Sequence, residues 1–376
     1  MTDRDDYRAF SPSASEPSRL ARRLGLTDAV MLGLGSMIGA GVFVAVGPAA
    51  AAAGSGLLLG LAIAGAVAYA NATSSAQLAA AYPEAGGTYV YGRERLGPFW
   101  GYLAGWGFVV GKSASLAAMA LTAGAYLFPG NARVIGVTAV VTMTAVNYSG
   151  IEKTARLTKI IVVTVLIVLA VVVVATLSGD LAPANLDNLI GRGIGGILEA
   201  AGLLFFAFAG YARIATLGEE VADPSRTIPR AIPLALGITL IVYAAVMVSA
   251  LLAVGPDPLA GSSAPLAEAA AGVGLPAVTA LVRTGGGVAT LGVMLSLLAG
   301  ISRTIFAMAH NGELPGWLGR VHSTFRTPHW AQLAVGALVA VVVAVADLRG
   351  AIGFSSFAVL VYYGIANASA YTQPTE

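Results

Sequence analysis

Three glycines fall within seven residues of the stretch Gly35-Ser36-Met37-Ile38-Gly39-Ala40-Gly41-Val42-Phe43. They lie inside an apolar run from Ala29 to Ala51, where a membrane helix should be most regular. Glycine costs about 1 kcal/mol against alanine in a helix interior. A backbone group freed inside lipid costs several kcal/mol unless something satisfies it. The run therefore reads as a helix broken near its middle, with the break facing protein, a cavity or a ligand. A break exposes free N–H groups at the new N-terminus and free C=O groups at the new C-terminus. The N–H end, near Gly39, Ala40 and Gly41, suits a carboxylate. The C=O end, near Met37, suits an ammonium.

The elements that would hold such a site follow from composition. The chain has 376 residues, 57% hydrophobic and 11% charged. A soluble domain carries about 25% charged residues, and here the charges cluster between long apolar runs. That is the pattern of a polytopic membrane protein. The expected fold is all-α, with about ten transmembrane spans. Span 1 covers Ala29 to Ala51, span 2 Gly56 to Ala80, span 3 Phe99 to Phe128, span 4 Val134 to Val146 and span 5 Thr158 to Leu177. Span 6 covers Ile194 to Leu217, span 7 Ile232 to Val254, span 8 Val278 to Ala309, span 9 Trp330 to Ala346 and span 10 Ala351 to Tyr371. A polar tail, residues 1–25, precedes a membrane domain, residues 26–376, and shows no apolar core of a cleavable signal.

Basic residues orient the chain. Fourteen lie on one side: Arg4, Arg8, Arg19, Arg22, Arg23, Arg93, Arg95, Lys153, Arg156, Lys159, Arg226, Arg230, Arg320 and Arg326. Four lie on the other: Arg133, Arg192, Arg283 and Arg349. The expected arrangement is a multi-pass protein of the cell membrane with both termini in the cytoplasm.

Span 6 carries a counterpart of the opening stretch, Phe205-Phe206-Ala207-Phe208-Ala209-Gly210-Tyr211-Ala212. A lone glycine in a membrane helix more often marks close packing. Its place changes the balance, because spans 1 and 6 each open a set of five. Two interrupted helices at matching positions point to a transporter built from inverted repeats, here residues 26–178 and 193–372. Carbonyls from Phe206 to Ala209 would then join Met37 around an ammonium. A zwitterionic α-amino acid fits such a site without any charged side chain. Phe205, Phe206 and Phe208 would line or close the cavity, unless they simply pack.

Motifs along the chain resemble the amino acid–polyamine–organocation (APC) superfamily of permeases. Besides the opening stretch they are Tyr82-Pro83-Glu84-Ala85-Gly86-Gly87-Thr88-Tyr89, Gly218-Glu219-Glu220-Val221-Ala222-Asp223-Pro224 with Ile228-Pro229-Arg230, and Arg303-Thr304-Ile305-Phe306-Ala307-Met308-Ala309 followed by Gly312-Glu313-Leu314-Pro315 and Arg326-Thr327-Pro328. The resemblance implies the leucine-transporter-type fold, in which spans 1, 2, 6 and 7 move against a scaffold. It implies secondary active transport of amino acids or related amines, proton-coupled or by exchange. Carried over by motif, Gly39, Ala40 and Gly41 amides hold the carboxylate. Met37, Phe206, Ala207 and Ala209 carbonyls hold the ammonium beside Gly210, Phe206 takes the place of an aromatic gate, and Gly86 and Gly87 form a short re-entrant turn. The chain departs from the pattern twice. Some proton-coupled relatives carry a lysine in the middle of span 5, where this chain reads Ile161-Val162-Val163-Thr164, with Lys159 nearer the cytoplasm. Many relatives have an acid just after the span 6 break, where this chain has Arg213. Most relatives have twelve spans, so a shortened, non-transporting form is the alternative expectation, as is a carrier of other small amines or polyamines.

The remaining charges are gating or coupling candidates. Lys112 sits deep in span 3, where a charge is costly and is by default functional. It could equally snorkel or pair with a helix end. Arg213, beside the break, would disfavour cationic side chains. Glu219 and Glu220 could pair with Arg226 and Arg230 as an inner gate. His310, His322 and His329 are too scattered for a metal site. No phosphate-binding glycine–lysine motif supports ATP coupling, and no cofactor, nucleic-acid partner or enzymatic activity is expected. A cation carrier would want cavity acids, whereas this chain offers Arg213 and Lys112.

Overall fold

Proline and glycine set where the helices of this chain begin and turn. Pro98, Pro224 and Pro276 each stand at the first position of a long helix, where the missing N–H is no loss and the fixed φ suits the helix. The computed structural model describes residues 24–38, 41–82, 87–149, 155–215, 221–325 and 327–373, with the backbone alone for residues 155–159, 213 and 215. The chain runs through α1 (Leu26–Met37), α2 (Gly41–Ala53), α3 (Leu57–Ala81), α4 (Thr88–Leu96), α5 (Pro98–Leu127), α6 (Ala132–Tyr148), α7 (Ala155–Leu177), α8 (Gly193–Phe208) and α9 (Ala212–Ala215). It continues through α10 (Pro224–Val254), α11 (Pro256–Gly261), α12 (Pro265–Gly272), α13 (Pro276–His310), α14 (His329–Val345) and α15 (Leu348–Tyr371). Among the described residues the one β feature is an isolated bridge between Leu24 and Val221.

Seven helical runs among the described residues are long and apolar enough to cross a membrane, and the apolar helices α1 and α14 are shorter. One of the seven, Gly41–Ala81, is 41 residues long and holds both α2 and α3. They meet at a 3-10 turn, Gly54–Gly56. Gly54 stands there at φ +60°, a left-handed conformation that glycine adopts without strain.

Three expectations differ from the structure. The charged stretch Ile228-Pro229-Arg230, read as a loop before span 7, lies inside α10, which starts at Pro224. Hydropathy fails there before the helix does. Thr88 and Tyr89, read as loop, begin α4, whose N-cap Gly87 has φ +57°; Gly86 lies outside the described residues. Arg283, counted with the loop residues of one side although inside the bounds of span 8, sits within α13 and donates to the Ala125 carbonyl.

Packing sorts the helices into two groups. In the first, α3 packs on α8 and α10, α2 on α8, and α1 on α10. In the second, α5, α6, α13 and α14 pack on one another. Three helices touch both: α7 packs on α13, α10 and α1, α15 packs on α5, α3 and α8, and the short α12 packs on α13, α10 and α2. Small residues permit this closeness. A Cβ on Gly136 would lie 2.9 Å from the Ala120 carbonyl oxygen, and one on Gly60 would lie 3.0 Å from the Ala200 side chain.

Polar contacts gather at the two ends of the molecule. At one end Arg93 and Tyr89 of α4 bind Glu313, and Arg95 Nε donates to Thr372. At the other, Arg192 pairs with Asp257, Arg349 with Glu199, and Arg133 donates to carbonyls at the end of α14.

Candidate functional site

The end of α1, the start of α2 and the 3-10 turn that follows α8 lie against one another. α1 stops at Met37 and α2 starts at Gly41. Gly39 and Ala40, expected to hold a carboxylate, lie outside the described residues. The span 6 break is milder than the free ends expected: α8 passes into one 3-10 turn, Ala209–Tyr211, and then into α9. Gly210 is pressed on the other break. A Cβ there would collide with the Ser36 carbonyl and stand 2.8 Å from Met37 N. Gly41 makes the reciprocal contact, since its Cβ would lie 2.7 Å from Ala207 Cα and 2.6 Å from Tyr243 Oη. Each glycine is required by the other helix's backbone, a stronger demand than helix propensity.

The carbonyls expected to meet an ammonium already have donors. Tyr243 Oη, from α10, is 2.8 Å from the Met37 oxygen and 3.2 Å from the Ala207 oxygen, bridging the two breaks with one hydroxyl. The Phe206 carbonyl accepts the Ala209 N–H together with that of Phe205. Ala209 O accepts from Lys112 Nζ and from Tyr363 Oη, each at 3.2 Å. A carbonyl oxygen has two lone pairs, so the Tyr243 hydroxyl does not by itself fill either the Met37 or the Ala207 oxygen. α2 begins in the protein interior, with Gly41, Val42 and Phe43 all buried. The N–H groups of its first turn have no intrahelical acceptor, and the helix dipole favours an anion there.

Lys112 therefore neither snorkels nor faces lipid. It is 7% exposed, and it reaches the break of the other packing group through Ala209. The sequence offers the residue but not its partner, because Lys112 and Ala209 are 97 positions apart. Sequence reasoning does not find Tyr243 or Tyr363. A tyrosine in an apolar helix looks like core until its hydroxyl is placed.

The aromatic candidates all turn inward. Phe205 packs edge-on against Tyr363 at 5.8 Å, and Phe208 meets Tyr243 at 5.3 Å. Phe206 is buried as well. Tyr211 stacks on Tyr363 at 4.9 Å. Beside the break, Ser75, Thr88, Tyr91, Ala212, Tyr362 and Tyr363 line a small cavity with room for about one water molecule. The buried hydroxyl of Tyr91, which lines this cavity, has no hydrogen-bond partner among the described residues.

Other candidates are located only in part. Arg213 is in α9 and Lys159 in α7, with side chains outside the described set, and Glu219 and Glu220 lie outside it entirely. Arg226 stands 3.9 Å from Asp223, three residues away. The stronger ion pair at that end is Arg93–Glu313, extended by Tyr89 Oη on Glu313 at 2.8 Å and by Asn311 Nδ2 on Tyr89 at 2.6 Å. His322 and His329 belong to an aromatic cluster with Tyr148 and Phe325.

Known proteins share this architecture's sequence. An uncharacterized transporter of Mycobacterium tuberculosis is 63% identical over 357 residues, covering 95% of this chain and 81% of its own length. A branched-chain amino acid permease of Bacillus subtilis is 27% identical over 355 residues, 87% of this chain and 76% of its own. A methylthioribose transporter of the same bacterium is 29% identical over 375 residues, 93% and 79% respectively. The sequence profile of the amino acid permease family matches residues 28–373. With a family match along nearly its whole length and long apolar helices throughout its described residues, the chain belongs to the amino acid permease family of the APC superfamily.

Proposed function

We propose that this protein is a secondary active transporter that carries an α-amino acid across the cell membrane by alternating access. The observation that carries this reading is the mutual contact of the two breaks, Gly210 on Ser36 and Gly41 on Ala207, with Tyr243 bridging their carbonyls. The substrate carboxylate takes the N-terminal turn of α2, at Gly39, Ala40 and Gly41. Its ammonium joins the carbonyls of Met37, Ala207 and, around the turn, Phe206 and Ala209. Phe206 closes over it. The helices make ten crossings. α1 with α2, and α8 with the 3-10 turn and α9, each count as one, and α3, α5, α6, α7, α10, α13, α14 and α15 supply the rest. The group of α1, α2, α3, α8 and α10 is the moving bundle, while α5, α6, α13 and α14 are the scaffold. The two sets of five form inverted repeats. The more basic end, with Arg93 and Arg95, faces the cytoplasm. Energy comes from a proton gradient or from exchange. Arg213 disfavours arginine-like and lysine-like substrates.

Uptake by the purified chain in liposomes tests this reading, using a panel of labelled amino acids, with and without a pH gradient and internal substrate. Branched-chain amino acids come first, because a relative carries them by name and the aromatic surroundings suit an apolar side chain. Methylthioribose is the second arm. Saturable uptake of a panel amino acid is expected. No uptake of any amino acid under any condition would overturn the assignment.

A further inference from the structure

The energy source of such a transporter has a structural candidate. Lys112 lies at the one place among the described residues where a side chain amine bridges the two packing groups: its Nζ, on α5, bonds Ala209 O in the 3-10 turn after α8. It is buried, and among the described residues no carboxylate pairs with it. An ammonium in that position donates a charge-assisted bond, roughly twice as strong as a neutral one. The neutral amine holds the carbonyl less tightly. Charge on this nitrogen therefore sets how firmly the break is tied to α5.

A polar route leads to the same carbonyl. Tyr363 Oη shares Ala209 O with Lys112. Tyr363 also lines the small cavity that Ser75, Thr88, Tyr91 and Tyr362 complete. Tyr91 lines this cavity, is 1% exposed, and its hydroxyl lacks a partner among the described residues. An unmet buried hydroxyl beside a water-sized space is the ordinary setting for a bridging water. Several other titratable groups on neighbouring elements are engaged elsewhere, and the Arg213 side chain, on α9, lies outside the described residues. Tyr362 accepts from Thr88 N, Arg93 binds Glu313, Arg133 holds the carbonyls at the end of α14, and Arg283 donates to Ala125 O. Arg303 on α13 also has a partner.

We propose that Lys112 is the proton-binding residue of the transport cycle, loaded through the cavity beside Tyr363. The step is a simple protonation: the amine takes one proton from solution to become an ammonium, the Ala209 tether tightens, and the proton leaves on the other side when the tether opens. This rests on the permease reading and puts the role on α5, where the middle of span 5, Ile161-Val162-Val163-Thr164, has no lysine.

The test measures protons moved per substrate. Purified chain is reconstituted in liposomes holding a pH-sensitive dye, with the panel amino acid that wild type takes up fastest. Wild type is expected to move about one proton per substrate, giving up to about tenfold accumulation per pH unit. Lys112→Met is expected to drop the proton-to-substrate ratio by more than about fivefold, whatever rate remains, since loss of folding alone lowers rate and not ratio. Lys112→Arg, whose charge is fixed, should behave like Lys112→Met. If Lys112→Met does not transport, Tyr363→Phe answers instead: its uptake-versus-pH profile should shift, and a wild-type profile overturns the proposal. A wild-type ratio in Lys112→Met, or wild-type uptake without proton movement, also overturns it while leaving the permease reading intact. Failure of wild type on every panel member sinks both.

Discussion

At the scale of single residues, the glycines of the two breaks are held by contact rather than by flexibility. Gly210→Ala would push a methyl against the Ser36 carbonyl carbon and oxygen, both backbone. Neither can yield like a side chain, so α1 and α8 must separate. Overpacking of this kind costs about 1–3 kcal/mol, and uptake should fall by at least about tenfold, the factor that about 1.4 kcal/mol represents. Gly202→Ala, in α8 before the turn that holds Gly210, is the control, because a methyl there would meet nothing within 4 Å; its uptake should stay near wild type. Tyr243→Phe removes the donor from Met37 and Ala207 together. Leaving a buried acceptor unmet costs about 1–3 kcal/mol, so the purified variant should melt lower. A transported amino acid should raise the melting temperature more in Tyr243→Phe than in wild type if its ammonium sits on those carbonyls, since any ligand raises it to some extent.

At the scale of elements, the chain is most legible where local chemistry governs. The starts of α5 and α13, each with its proline, fall within two residues of the expected spans. The end of α1 at Met37, the start of α2 at Gly41 and the 3-10 turn at Gly210 fall where glycine interrupts apolar sequence. Less can be read where distant elements decide. α10 keeps its helix through Pro229 and Pro233, although charge and proline there resemble a loop. α4 is polar and short, so no hydropathy signal marks it. It is fixed by tertiary bonds, with Arg93 and Tyr89 both on Glu313 just beyond α13. Glu313→Gln should therefore loosen α4 from α13. Glu313 is 14% exposed on its side chain and Arg93 35%; a half-buried, charge-assisted pair of this kind contributes about 1.5–3 kcal/mol. Hydrogen exchange of the α4 amides should rise about tenfold or more, the factor that about 1.4 kcal/mol represents. Unchanged protection of α4 would show that the helix is held by its apolar face instead.

At the scale of the whole molecule, the arrangement of charge and the number of crossings constrain each other. Arg93, Arg95 and Arg320 belong to one end, and Arg133, Arg192 and Arg349 to the other, where their bonds to the ends of α14, to Asp257 and to Glu199 keep them. Between Leu181, after α7, and Val321, before α14, the proposed topology makes three crossings: α8 with α9, then α10, then α13. An odd number puts the two residues on opposite faces. Both are well exposed, and the chain contains no cysteine, so a single introduced thiol is unambiguous. Leu181→Cys should react with a membrane-impermeant maleimide on intact cells, and Val321→Cys only after permeabilisation. The reverse pattern would invert the molecule while keeping the count. Labelling of both from one side would remove a crossing between them. It would also break the matching of the two sets of five, because the interruption at Gly210 would no longer open a second repeat of opposite orientation.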